Sequence, residues 1–593
     1  MATYPDHIAA LRDELKKRGL NGFVIPLTDE HMSEYVADYA KRLAWLTGFT
    51  GSAGSAVVLE DKAAIFIDGR YTIQVAEQVD EAIFAYVDYP DTTPADWLKK
   101  NVSSGAKIGF DPWLHSRDWV YSTQTVLRIK GADLVACETN PIDSVWTDKP
   151  SLPTHPLKAQ EDGYAGRGVA DKLKSIAASV RDAGADVCVL AALDSVAWAF
   201  NIRGSDIENT PVGLAFALVY GDGRGQLFTD LAKVNTELRA HLGSDVEIFD
   251  RSEFLEYLGK TTNNSVLLDP SNCVAALFDT VEKAGGTVIR GRDPVVLPKA
   301  CKNDVEQEGA RAAHRRDGAA VAQFLHWFSN EAPKGELDEI SAAKHLESCR
   351  RRLNLFQDLS FRTISAAGPH AAIPHYSVDE DSNLPIDKNS VFLIDSGGQY
   401  LDGTTDITRT IAVGEVSDEA KRCFTLVLKG HIALATARFP KGTPGRALDT
   451  LARFALWQEG LDFDHGTGHG VGSYLSVHEG PQRIAKANSD EPLQQGMILS
   501  NEPGYYKAGE FGIRIENLVM VQPRPMPGDE REMYGLETIT FAPIDQNMII
   551  ADLLNDEEKR WLNAYHAQVR EILLPQVAAD TGAWIEQATA PLL

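Results

Sequence analysis

Four carboxylates and one imidazole in the C-terminal half of the chain stand in settings that suit metal chemistry: Asp395, Asp406, His469, Glu502 and Glu516. Within residues 391–413, two strand-like runs, VFLID and DITRTIAV, enclose a glycine-containing connection, so they can pair as a hairpin. Pairing brings Asp395, at the end of the first run, and Asp406, at the start of the second, to the same end. Asp402-Gly403 reads as turn chemistry instead. The stretch 511–521, FGIRIENLVMV, alternates with period two and predicts one strand, with Ile513 and Ile515 on one face and Arg514 and Glu516 on the other. Glu502 precedes Pro503, which keeps it out of the helical region and fixes its backbone.

The segment His465–Gly472, HGTGHGVG, places two histidines four residues apart. On a helix such a pair could share one zinc ion, but each glycine costs roughly 0.8–1 kcal/mol in a helix, and four of these eight positions are glycine. In an extended chain the two imidazoles would lie about 13 Å apart, at roughly 3.3 Å per residue. At most one of them can then ligate a given ion. A phosphate loop would need a lysine and Ser/Thr that this segment lacks. A flexible turn remains the alternative.

Four carboxylates gathered together would repel, each pair at 4 Å costing about 4 kcal/mol at an effective dielectric of 20. Two divalent cations would neutralise them. An oxygen-rich set with one histidine favours Mn²⁺, with Co²⁺, Fe²⁺ or Zn²⁺ also suited. Two metals about 3.5–4 Å apart lower the pKa of a shared water and polarise a carbonyl, the apparatus of amide hydrolysis.

The elements that must position these residues follow an α/β pattern. A helical pattern over residues 7–18 leads to the apolar strand 22–25, then to AWLTGFTGS and the run 63–68. The order recurs as helix 169–182, strand 187–190, AWAFNIRGS and the run 213–220. This predicts two similar α/β domains, 1–150 and 151–300. Prolines crowd residues 141–157 as a linker, and Pro294–Pro298 marks a second boundary. Beyond it Asn303 or Asp304 caps a long helix, Val305 to about Phe328, opening a third domain over 301–593.

With 58 Lys+Arg against 84 Asp+Glu the net charge is −26, which argues against nucleic acid and anionic membranes as partners. Six scattered cysteines offer neither a C-x-x-C pair nor a disulfide framework, and no 18-residue apolar run occurs. The expectation is a cytoplasmic protein.

The stretches DSGGQYLDGTTDITRT (395–410), HGTGHGVG (465–472), VHEGP (477–481), NEPGYY (501–506) and GIRIEN (512–517) resemble the pita-bread metallopeptidases. RLAWLTGFTGSAGSA (42–56), FIDGRY (66–71), NIRGSDIENTPV (201–212) and LPKACKNDVEQEG (297–309) extend the resemblance to the three-domain Xaa-Pro aminopeptidases. The implied fold is two creatinase/prolidase-like α/β domains followed by a pita-bread α+β catalytic domain with a C-terminal helical extension. The implied activity is release of the N-terminal residue from short peptides with proline in second position, by a metal-bridging hydroxide.

By the same resemblance Asp395 chelates one metal, Asp406 and Glu516 bridge both, and His469 and Glu502 complete the second. Glu502 also serves as general base, His375 and His478 hold the substrate carbonyl, and His465 lines the proline-side pocket. Arg514 and Tyr506 orient the carboxylates, and a homodimer is implied. His370 and His431 receive no role. Within the enzymes the rival is prolidase, which shares the ligands but cleaves dipeptides. Methionine aminopeptidase lacks the two leading α/β domains, and a scaffold with a non-catalytic pita-bread domain would have lost ligands.

Overall fold

The computed structural model describes residues 3–261, 264–487 and 490–593. The chain divides into two compact units, one formed by Met1–Gln160 with Arg167–Val296, the other by Glu161–Gly166 with Leu297–Leu593.

The first unit holds the predicted repeat. The helix Val169–Asp182 forms because Leu173, Ile176, Ala177 and Val180 recur at helical spacing and are buried. Gly184, at φ 73°, follows the helix end and turns the chain into the strand Val187–Leu190. That strand pairs antiparallel with Ala215–Tyr220 and parallel with Ser265–Leu268. Gly22–Pro26 does the same with Ser55–Leu59 and Lys107–Phe110. Each of these two strands lies inside a six-stranded sheet, and the two sheets share one order of strands and one pattern of parallel and antiparallel pairs. The sequence repeat is therefore a repeat of topology.

In the second unit the long helix runs from Asp304 to Glu331. Asn303 caps it through a reciprocal box with Glu306. The strands Ser390–Ser396 and Ile407–Val413 pair antiparallel with Asp395 opposite Thr408, which is the predicted hairpin. Asp402, at its turn, forms an ion pair with Arg316. A six-stranded sheet gathers Gly468–Gly470, Glu479–Ile484, Ile498–Asn501, Asn517–Pro523, Met533–Thr538 and Arg438–Pro440. The helix Asp556–Leu573, followed by a last helix Ala579–Ala588, buries Leu562, Tyr565 and Val569 in a core shared with Val427, Leu428 and Ile513.

One expectation fails. The single strand over 511–521 is two strands, Phe511–Arg514 paired with Gly504–Lys507, and Asn517–Pro523 in the six-stranded sheet. The chain changes sheets at Ile515-Glu516, where Ile515 N donates to Pro503 O (3.3 Å) and Glu516 N to Thr408 O (3.2 Å). Among the described residues no helix is long and apolar enough to cross a membrane.

Candidate metal centre

The hairpin, the sheet change and the glycine-rich segment meet at one place. Ligand atoms of Asp406, His469 and Glu516 lie within 4.8 Å of one another. His469 Nε2 is 3.4 Å from Asp406 Oδ2 and 3.6 Å from Glu502 Oε1. Asp395 joins through Arg514, whose Nη2 donates to Asp395 Oδ2 at 2.7 Å.

The glycines of HGTGHGVG explain its shape. A Cβ on Gly468 would stand 2.0 Å from Ser500 O, and one on Gly470 would stand 2.5 Å from Glu479 O, so the segment lies flush between Ile498–Asn501 and Glu479–Ile484. Ser500 then caps His469 N (2.9 Å) and donates to Glu502 Oε1 (3.1 Å). His469 donates from Nδ1 to Gly470 O at 2.9 Å, which fixes the tautomer that leaves Nε2 facing the carboxylates.

His465 is placed differently. Its Nδ1 donates to Gly466 O (2.7 Å) and its Nε2 accepts from the Tyr506 hydroxyl (2.8 Å). That hydroxyl in turn accepts from Arg514 Nη1 at 2.6 Å. The His478 ring stands edge-on to His469 with centroids 4.3 Å apart. His375 follows the turn Gly368–Ala372, which is pressed so close to Phe511–Arg514 that a Cβ on Gly512 would meet Ala371 O at 1.6 Å.

The carboxylates are held by one oxygen each. Glu516 Oε2 accepts from Thr408 Oγ1 at 2.7 Å, and Asp395 Oδ2 accepts from Arg514, while Asp395 Oδ1, Asp406 Oδ1 and Glu516 Oε1 are buried without a protein donor. Buried oxygens without donors are rare, and three together fit a set of cation ligands. The electrostatics agree. Burial, then repulsion from Asp395 and Glu502, pushes Asp406 up to about 6. Burial, then Asp406, Asp395 and Glu502, pushes Glu516 well above the carboxylate range. Burial opposes a charge on His469, yet its hydrogen bond to Asp406 and the charge of Glu502 outweigh it and raise the imidazole to about 9. A divalent cation would relieve all three.

Comparisons with known proteins place the chain in a family. Residues 308–523 match the model for metallopeptidase family M24, 532–592 the C-terminal region of peptidase M24, and 7–144 and 148–306 two creatinase/prolidase N-terminal domain models. A probable Xaa-Pro aminopeptidase P of Laccaria bicolor is 40% identical over 602 residues, covering 99% of this chain and 93% of its own. The chain belongs to metallopeptidase family M24. Aminopeptidase P2 of Arabidopsis thaliana is also 40% identical, over 97% of this M24 chain and 86% of its own length. The crystal structure of X-prolyl aminopeptidase from Caenorhabditis elegans, described as a cytosolic enzyme with a di-nuclear active site, superposes with a TM-score of 0.96 at 35% identity over 100% of both chains. An Xaa-Pro dipeptidase from Bacillus anthracis covers 64% of the M24 chain and 99% of its own, with a TM-score of 0.52 at 26% identity. This member is thus a metallopeptidase with two creatinase-like domains before its pita-bread domain.

Several residues of the centre carried no signal that sequence reasoning used. Thr408 and Ser500 orient Glu516 and Glu502. Thr408 shares the alternating face of DITRT with Asp406, a pattern that could have marked it. Glu339 is fully buried and accepts from the Tyr376 hydroxyl (2.9 Å), His370 Nδ1 (2.9 Å), Ala367 N (2.8 Å) and Leu384 N (3.0 Å), tying down the chain on both sides of His375. His370, given no function from its motif, thus supports the loop that carries His375.

Proposed function

We propose that the protein is an Xaa-Pro aminopeptidase that removes the first residue from short peptides with proline in second position, and that it works with two divalent cations, Mn²⁺ favoured. The convergence of Asp406, His469 and Glu516, with donorless carboxylate oxygens around them, carries the reading. The full-length likeness to the Caenorhabditis elegans enzyme supports it.

Asp395, Asp406, His469, Glu502 and Glu516 would hold the two cations, with Asp395 serving one and His469 and Glu502 the other. Cations so held would lower the pKa of the attacking water and polarise the scissile carbonyl. Glu502, positioned by Ser500, takes the proton of that water and passes it to the departing proline nitrogen. His478 and His375 hold the carbonyl oxygen as negative charge develops on it. His465, locked by Tyr506, lines the proline-side pocket. The Xaa-Pro nitrogen carries no hydrogen, so a pocket shaped for the ring can select what hydrogen-bonding sites reject.

Comparing Gly-Pro, Gly-Pro-Ala and Met-Ala-Ala under identical conditions tests this. Gly-Pro-Ala should be cleaved to glycine. Cleavage confined to Gly-Pro would make it a prolidase, cleavage of Met-Ala-Ala a methionine aminopeptidase, and no cleavage with any metal a scaffold.

The working form is a homodimer. Leu451, Phe454 and Trp457 stand three residues apart on the helix Arg446–Trp457 and are 37%, 58% and 40% exposed, an apolar row suited to a second copy. Light scattering that finds only monomers would contradict it. The compartment is cytoplasmic, in keeping with six free cysteines, and detection of the protein only in a secreted fraction would contradict it. The chain is organised as three domains, 1–150, 151–300 and 301–593, and limited proteolysis should cut near 150 and 300.

A further inference from the structure

Both glutamates of the centre have an asparagine beside them, Asn501 before Glu502 and Asn517 after Glu516. The two asparagines face each other across the antiparallel strands Ile498–Asn501 and Asn517–Pro523. A chain of buried polar groups joins them from behind. His431, on the helix Asp418–Ala435, donates from Nδ1 to Asn501 O (3.1 Å) and accepts at Nε2 from Asn517 Nδ2 (3.2 Å). Asn501 Nδ2 returns a hydrogen bond to His431 O at 2.9 Å. Burial and the nearby Arg409 keep this imidazole neutral, down to about 3, so it can donate and accept at once.

Asn517 Oδ1 accepts from Arg409 Nη2 at 2.9 Å. The Arg409 side chain, 3% exposed, donates also to Glu516 O (2.7 Å) and to Thr408 O, Pro543 O and Ala542 O (each 2.9 Å). Its remaining acceptor is the Tyr565 hydroxyl at 3.0 Å. Tyr565, on the helix Asp556–Leu573, has Ala542 O (3.0 Å) and Thr540 O (3.2 Å) as acceptors for its hydroxyl and accepts from Ala542 N at 3.2 Å. None of the six acceptors is a carboxylate. A guanidinium buried on neutral partners is costly, and burial lowers the Arg409 pKa from its ordinary value. The arrangement is more than a stable core requires. It is a cation that ties Glu516 and Asn517 to the C-terminal segment, while His431 links Asn517 to Asn501, the residue before Glu502.

We infer that His431, Asn517, Arg409 and Tyr565 form a positioning network that sets the spacing of Glu502 and Glu516, so that the helix Asp556–Leu573, through one hydroxyl, is part of the metal-binding apparatus. The inference rests on the proposed reading of both glutamates as ligands. Groups that orient metal ligands typically matter by 10–100-fold in metal affinity. Groups that only fill a core change stability without changing the affinity of the folded protein.

Titration calorimetry of Mn²⁺ into the metal-free full-length chain separates these roles. Tyr565→Phe, which removes one oxygen and keeps the ring, and His431→Leu should each raise the Mn²⁺ Kd by about tenfold or more. Leu562→Ala, on the same helix with its side chain buried in the apolar core, should lower the Tm and leave the Kd unchanged. A Tyr565→Phe chain that binds Mn²⁺ with the unaltered Kd overturns the inference even if its Tm falls, and so does an equal Kd change in Leu562→Ala. Should the unaltered chain bind no Mn²⁺, the ligand reading falls and the network's role with it; normal binding with unaffected variants removes the network's role alone.

Discussion

Arg514 Nη2 donates to Asp395 Oδ2 at 2.7 Å, and the same guanidinium reaches the Tyr506 hydroxyl through Nη1 and Thr408 Oγ1 through Nε. One planar cation thus fixes a carboxylate, the phenol that holds His465, and the hydroxyl that holds Glu516. Lysine has no such fork. Arg514→Lys should therefore weaken Mn²⁺ binding by 10–100-fold on the usual scale for ligand-orienting groups. Calorimetry with the metal-free protein reads this directly, and an unchanged Kd would remove the orienting role.

Tyr506 relays position from Arg514 to His465. Burial raises its phenol to about 12, so the hydroxyl keeps its proton throughout the working range and can donate to His465 Nε2. Tyr506→Phe should lower kcat/KM on Gly-Pro-Ala by about tenfold, mainly through KM, because His465 Nε2 loses the hydroxyl that holds it while the carboxylates keep their donors. A loss confined to kcat with KM unchanged would assign the phenol to the chemical step instead.

The protonation of the centre gives a pH dependence with a definite sign. Asp406, raised to about 6, and Glu516, raised well above its ordinary value, contribute stability to the metal-free fold below about pH 4, and that stability is lost as pH rises through their folded values. His469, raised to about 9, contributes below its ordinary 6.5 and loses that contribution as pH rises through 9. Metal needs the same groups deprotonated. The rise in Tm on adding Mn²⁺ should be larger at pH 8 than at pH 5.5, as followed by differential scanning calorimetry. An equal rise at both pH values would mean that the ion binds elsewhere.

Beside His478, Glu479 is buried and shared by two buried lysines, Lys299 at 2.8 Å and Lys302. Glu479→Gln removes the charge that both lysines face, and breaking a buried pair in this way typically costs 3–5 kcal/mol. Urea unfolding should show a loss of about that size. A change below about 1 kcal/mol would mean that solvent or other groups take over the lysines.

Much of the fold was legible because it rests on local pattern. Leu173, Ile176, Ala177 and Val180 announce their helix by spacing, and the runs around Asp395 and Asp406 announce a hairpin by composition. The break at Ile515-Glu516 was not legible, since the period-two pattern continues unaltered on both sides while the chain leaves one sheet for another. Arg409 and His431 were hidden for a related reason. Arg409 is satisfied largely by groups more than a hundred residues away, and His431 by Asn501 and Asn517, 70 and 86 residues on, so nothing near them in sequence marks a buried polar network. The glycine content of HGTGHGVG excluded a helix, but only the approach of Gly468 to Ser500 shows why glycine stands there.

The central claim is that these acidic side chains and His469 fold around a pair of divalent cations. Metal content per chain, measured by mass spectrometry after reconstitution with Mn²⁺ and exhaustive dialysis, tests it most directly, with Asp406→Asn alongside. Two ions per unaltered chain and at most one in the variant are expected; no retained ion, or the same content in both, would mean that no such pair forms there.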